Sequence, residues 1–207
     1  MLARPSGLRG PFTPTLPRAQ VVHTKHILAA ARLGRLDALE HATRESSCYD
    51  VQGVVDILQE FCASDPRPLI NVCDRFDRIP QLTQRLHERR QLQYLNLFVQ
   101  KVHPARAPEV VGALLDLSAP DEAISRLLLP MRDESLAPAL IEAANARVRL
   151  DVLRPWLQAR AQGGAASEPI EQALRQLSRS QRRRSWMNYL LSCGWGGYSD
   201  VPSSDGV

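Results

Sequence analysis

Aromatic side chains are scarce in this sequence, cysteines are few, and no apolar run is long. Phe, Trp and Tyr make up 5% of the 207 residues, so aliphatic side chains must supply most of the core. No uninterrupted apolar stretch approaches the ~18 residues that a membrane-spanning helix needs. The four cysteines, Cys48, Cys62, Cys73 and Cys193, show no close pairing. That excludes the C-x₂₋₄-C spacing usual for zinc. Three of them fall in helical patterns or at a helix entry, where a reduced thiol acts as a small hydrophobe. Without a secretory apolar segment, a reduced cytosolic setting is expected. Neither G-x-x-x-x-G-K-[ST] nor G-x-G-x-x-G occurs, so nothing cradles a nucleotide phosphate and no cofactor is expected. Alternating β-branched stretches are also rare, which leaves little material for strands.

What is present favours helix. Leu, Ala, Arg, Glu and Gln abound, and all are good helix formers. The net charge of +4 would suit nucleic-acid binding, but its distribution opposes that reading. Residues 1–36 carry six Lys or Arg and no acid, and five Arg lie between Arg175 and Arg184. Between Asp37 and Leu174 there are 15 basic and 20 acidic residues, so the body is net acidic and a basic groove is not expected there.

Along the chain, residues 1–21 hold four prolines and two glycines. They read as a disordered Pro/Arg-rich start, since these residues oppose the amphipathic helix of a transit peptide. From His23 a small apolar helix runs to Leu33 and stops at Gly34, a fitting C′ residue. Leu36 to about Arg44 follows at once, and so short a link makes an antiparallel pair. Asp50 suits an N-cap before Val51, Val54, Val55, Leu58 and Cys62. Asp65 can cap the next helix, whose apolar side is Leu69, Ile70, Val72, Cys73 and Phe76. Similar stripes follow through Ile79–Leu86, Leu92–Val102, Val110–Leu115, Asp121–Leu129, Leu136–Ala144 and Val148–Gln162. His103-Pro104 ends one of them. Residues 163–167 read as a loop, and Pro169 opens a last amphipathic stretch to about Leu177.

Ten or eleven short helices without strands, at ~28–32 residues per pair, predict an all-α superhelix of about five stacked hairpins with irregular ends. The solenoid is expected over residues 22–177. Residues 178–207 read as a basic, then Gly/Ser-rich, disordered tail.

Candidates for chemistry are weak. His23 and His26 form H-x-x-H without a nearby acid, and read as surface or cap residues. Asp74 and Asp77 share a helix side but are flanked by Arg75 and Arg78, as on a solvated, salt-bridged edge. Cys73 lies on the apolar face with no histidine near it in sequence, and reads as core. Arg182-Arg183-Arg184-Ser185 has the form of a basic-directed phosphorylation site or import-like cluster, although such runs are common in solvated tails. Trp156 reads as a core residue between hairpins. No catalytic, cofactor-binding or metal site is expected.

Several strings together resemble the clathrin heavy chain, in the α-solenoid of its leg. They are Arg44-Glu45-Ser46-Ser47-Cys48-Tyr49-Asp50, and Pro68 through Asp77 (Pro-Leu-Ile-Asn-Val-Cys-Asp-Arg-Phe-Asp). Tyr94–Val102 with Pro104–Asp116 forms a third, and Arg149–Arg160, containing Leu153-Arg154-Pro155-Trp156-Leu157, a fourth. They occur in family order across about residues 22–175. The resemblance implies a structural, non-enzymatic segment of a coat lattice that serves vesicle-mediated transport and endocytosis. It implies lateral contacts with other heavy-chain legs at the cytoplasmic face of coated pits and vesicles, without membrane insertion or nucleic-acid binding. The family's adaptor-binding propeller, light-chain-binding region and trimerisation end have no counterpart here, so those partners are not carried over. A free-standing helical-repeat interaction module, such as a vacuolar-sorting-type tethering scaffold, and a truncated, non-assembling heavy-chain copy remain the alternatives.

Overall fold

The computed structural model describes residues 18–46, 48–163 and 167–192, with nothing described for the side chain of Leu190. The other residues, including most of the Pro-rich start, the centre of the 163–167 loop and the Gly/Ser-rich tail, lie outside the description. Among the described residues there are eleven α-helices and no strand. The chain forms two compact units, divided between Leu82 and Thr83.

The first unit holds α1 (Arg18–Arg32), α2 (Leu36–Glu45), α3 (Val51–Phe61), α4 (Arg67–Arg75) and the start of α5 (Ile79–Glu88). Here α1 packs on α2 and on α3, while α4 packs on α2 and on α3. A helix therefore meets both its neighbour and the next helix but one, which is the hairpin stacking of an α-solenoid. Ile27, Leu39, Val54, Leu58, Val72 and Cys73 form the dry interior. Most residues expected from the 3.6-residue stripes are buried, while Leu36, Val51 and Phe76 are half-buried.

The second unit holds the end of α5, α6 (Leu92–Leu97), α7 (Ala107–Asp116), α8 (Asp121–Leu128), α9 (Ala137–Asn145), α10 (Arg154–Gln162) and α11 (Glu168–Ser192). The contacts α6–α8–α10 and α7–α9–α11 build two layers of alternate helices. Leu95, Val110, Leu114, Ile124, Leu127, Leu140 and Trp156 fill the space between them. The all-α solenoid class is thus the observed one.

Helix termini follow local chemistry. Asp50 caps α3 by accepting from the Gln52 N–H at 3.2 Å. Pro66, not Asp65, stands at the N-cap of α4, which begins at Arg67, and the Asp65 carboxylate accepts the Arg67 N–H at 3.1 Å from one residue earlier. Gly34 sits at φ 63°, its N–H on the Ala31 carbonyl and the Arg35 N–H on that of Ala30, a Schellman end. Four other helix ends repeat this motif without glycine: Asp77, Arg90, Ser118 and Val148 stand at φ 52–57°. In each, the next N–H reaches five residues back, as Arg78 to Cys73 at 2.7 Å and Ala119 to Leu114 at 2.9 Å. That double closure satisfies carbonyls left open at a helix end and holds an L-residue in a region that its Cβ disfavours.

Several boundaries differ from expectation. Val148 does not open a helix; it closes α9, and Leu150–Leu153 is a 3₁₀ turn before α10 starts at Arg154. Pro155, lacking an N–H, fits only that first turn of α10. Phe98–Val102 continues α6 as one wider π turn, with the His103 N–H on the Phe98 carbonyl at 2.9 Å. Helix α1 begins at Arg18, within the segment read as irregular. Helix α11 runs on to Ser192 rather than ending near Leu177. No Gly or Pro interrupts residues 170–192, and Arg175 pairs with Glu171 one turn earlier at 2.7 Å, so nothing local stops it.

Candidate functional site

Side-chain bonds link positions about one hairpin apart in sequence. In the first unit the Arg75 guanidinium donates to the carbonyls of Thr43, Arg44 and Ser46 at 3.0, 2.7 and 3.2 Å. These carbonyls are at the C-terminal end of α2, where orphan acceptors and the negative dipole end favour a cation. The Tyr49 hydroxyl also donates to the Thr43 carbonyl at 3.3 Å, while its ring meets Phe76 edge-on at 5.5 Å. Burial pushes the Tyr49 phenol pKa up, against the opposing pull of Arg75. Asn71 reaches Glu40 at 3.4 Å, and the Asp50 N–H reaches the Thr24 hydroxyl at 3.2 Å.

The second unit uses the same spacing. Gln100 donates to the carbonyls of Arg126 and Leu127, both at 3.1 Å, at the end of α8. Arg147 grips Asp116 with two bonds of 2.6 Å and donates to the Ala143 carbonyl at 3.0 Å. This fork holds the Asp116 carboxyl below its usual range and lifts the guanidinium in turn. Gly112 makes room for it, because a Cβ there would stand 3.1 Å from the nearest guanidinium nitrogen. Arg149 pairs with Asp121 at the start of α8 at 2.7 Å. The Trp156 indole, 1% exposed, donates to the Met131 carbonyl at 3.1 Å. These bonds fix the register of one hairpin on the next. They place no nucleophile beside a base.

The sequence candidates are found apart. His23 and His26 are exposed on α1, and no group of three or more His, Cys, Asp or Glu side chains is placed to hold a metal among the described residues. Cys73 is buried, and desolvation pushes its thiol up to about 12. Cys62 is buried and shifted the same way, while Cys48 is exposed. Asp77 ends α4 in the left-handed conformation, and Asp74 lines a shallow cleft of about 250 Å³ with Thr43, Arg44, Asn71 and Arg75. Arg78 donates to Gln52 and Gln81. The Arg182–Arg184 cluster is in the helical part of α11, not in an irregular tail. Sequence reading missed this exposed end of α11; the period Arg175, Arg179, Arg182, Trp186 was the signal for it.

No helix among the described residues is long and apolar enough to cross a membrane. No family model matches the chain. Among curated proteins the chain is similar to clathrin heavy chain 2 of Homo sapiens, at 37% identity over 153 residues, 74% of this chain. It is similar over the same share to probable clathrin heavy chain 1 of Caenorhabditis elegans at 39% and to clathrin heavy chain 1 of Oryza sativa subsp. japonica at 40%. The chain spans 9% of the length of each of these relatives. Over that 74% of its length the chain is therefore related to the clathrin heavy chains and matches one short segment of them.

Proposed function

We propose that the chain works as a structural coat segment, contributing helical-hairpin surface to a clathrin lattice in vesicle-mediated transport and endocytosis. The observation that carries this reading is the 37–40% identity to clathrin heavy chains of animals and plants over 153 residues. The stacked hairpins within each unit support it, because Arg75 in the first unit and Gln100, Arg147 and Trp156 in the second bond successive hairpins together, so each unit presents its side chains at fixed spacing. Its partners in this reading are other heavy-chain legs, met side by side at the cytoplasmic face of coated pits and vesicles. The work is mechanical and needs no cofactor.

The test is affinity capture of the tagged chain from cells that make clathrin coats. Recovery of full-length heavy chain is the expected result. Recovery of vacuolar-sorting-type tethering subunits with no heavy chain would replace the coat reading with that of a free-standing interaction module.

A further inference from the structure

Helix α11 has two halves of different character. Ile170, Ala173 and Leu177 are buried, and α11 packs on α9 and α10. Beyond Leu177 every described side chain through Ser192 is exposed. This half, still tied to α10 where the Arg154 guanidinium donates to Gln181 at 2.8 Å, carries a basic band, Arg182 to Arg184, followed by Trp186, Met187, Tyr189 and Leu191, which are 60–76% exposed. No acid occurs between Gln172 and Ser192. Arg175, Arg179, Arg182, Trp186 and Tyr189 fall at i, i+4, i+7, i+11 and i+14, within one sector of the helix surface. Beside them, Gln172, Arg175, Gln176, Arg179, Ser180 and Arg183 line an open groove of about 540 Å³.

We propose that this half of α11 docks on an anionic phospholipid bilayer, independently of any coat lattice. A helix lying along a bilayer surface sets the side chains of one face at a common depth. Arg179, Arg182, Trp186 and Tyr189 share such a face, so the guanidinium groups reach the headgroup phosphates while the rings meet the edge of the acyl region. Trp and Tyr are the side chains that settle at that boundary. The three guanidinium groups of the groove, one turn apart, offer donors to headgroup phosphates. A nucleic acid would satisfy the arginines but would leave Met187 and Leu191 without an apolar partner. A bilayer satisfies both sets.

The experiment is flotation of the whole chain with phosphatidylcholine vesicles, with and without phosphatidylserine. It is read with tryptophan emission in a Trp195→Phe background, where Trp156 stays buried and Trp186 reports. Flotation only with phosphatidylserine, together with a blue shift of Trp186, is the expected result. The double change Arg182→Gln and Arg183→Gln should weaken binding roughly 30-fold, from about 1 kcal/mol per cation near the surface. Trp186→Ser should weaken flotation and abolish the shift at unchanged far-ultraviolet circular dichroism. Absence of flotation overturns the proposal. So does flotation that survives Trp186→Ser and is displaced equally by an RNA homopolymer, which marks a general polyanion site. Full displacement by inorganic phosphate would likewise overturn it, and so would a blue shift that tracks protein concentration without vesicles.

Discussion

Val148→Gly should stabilise the protein although it deletes an apolar side chain. Val148 stands at φ 56° with 84% of its surface exposed. Its N–H bonds the Asn145 carbonyl at 3.0 Å and the Arg149 N–H bonds that of Ala144 at 2.9 Å, so the fold needs this conformation to close α9. For a residue with a Cβ the left-handed region costs roughly 1–2 kcal/mol, and a β-branched side chain sits at the unfavourable end. Glycine removes that cost and returns about 0.5–1 kcal/mol of it through the entropy of its unfolded chain. So exposed a side chain forfeits little burial, leaving a net gain of about 0.5–1 kcal/mol. Gly34→Ala is the mirror experiment. Gly34 holds the same conformation at φ 63° with nothing within 4 Å of a new Cβ, so only backbone strain can act. It should destabilise by about 1 kcal/mol. Urea midpoints at unchanged m-value read both effects, with thermal shifts of ~2–4 °C per kcal/mol for a chain of this size. A loss of stability in Val148→Gly, or no change in either variant, would refute the strain argument.

Three further outcomes concern the contacts between layers. Gly112→Ala should destabilise the protein where Arg147 is present, because the new Cβ meets the guanidinium that Asp116 and Ala143 hold in place. In an Arg147→Ala background the sign should reverse, toward the ~1 kcal/mol that alanine gains over glycine within a helix; a double-mutant cycle measures it. The Asp116 carboxyl has a depressed pKa in the fold, so its contribution is present above the ordinary carboxylate range and is lost as pH falls through the folded value. The urea midpoint of Asp116→Asn should accordingly trail the parent at neutral pH and converge with it in acid. Trp156→Phe leaves the Met131 carbonyl without its donor in a dry site and should cost roughly 1–3 kcal/mol, again read from urea midpoints.

Cysteine labelling gives a separate check on the core. With the Cys73 thiol pushed up to about 12, its thiolate is scarce at pH 8, and the side chain is buried as well. Maleimide should modify Cys48 in the folded protein and reach Cys73 and Cys62 only in denaturant, as peptide mass spectrometry will show. Rapid native labelling of Cys73 would contradict the packing of α4.

Much of this fold was legible because its helices obey one rule. The stripe Leu69, Ile70, Val72 and Cys73 is buried as its spacing requires, and Gly34 and Asp50 mark the helix ends that their chemistry favours. The other left-handed closures were hidden. Arg90, Ser118 and Val148 are not residues that announce a positive φ, and the backbone hydrogen bonds of the double closure hold them there. The 3₁₀ turn at Leu150–Leu153 and the π turn at Phe98–Val102 change hydrogen-bond partners, and the wider π turn leaves Val102, the last residue of its expected stripe, 71% exposed; periodicity alone reveals neither. Arg75 reaching the end of α2 could not be read either, since one arginine in a charged edge looks like any other. The basic run after Leu177 looked like a tail because it carries few apolar residues, yet its lack of Gly and Pro lets α11 continue. The kinship was the clearest signal, in strings such as Pro68–Asp77 that packing alone would not dictate.

The central claim is that these hairpins serve as lateral structural surface in a clathrin coat. Its most direct measurement is cosedimentation of the purified chain with preassembled clathrin cages, with the free chain checked for native helix content by circular dichroism. The account predicts saturable recovery in the cage pellet, weakened when Arg147 and Trp156 are changed together so that the layers lose their register. A fully folded chain that stays in the supernatant at every cage concentration would contradict it.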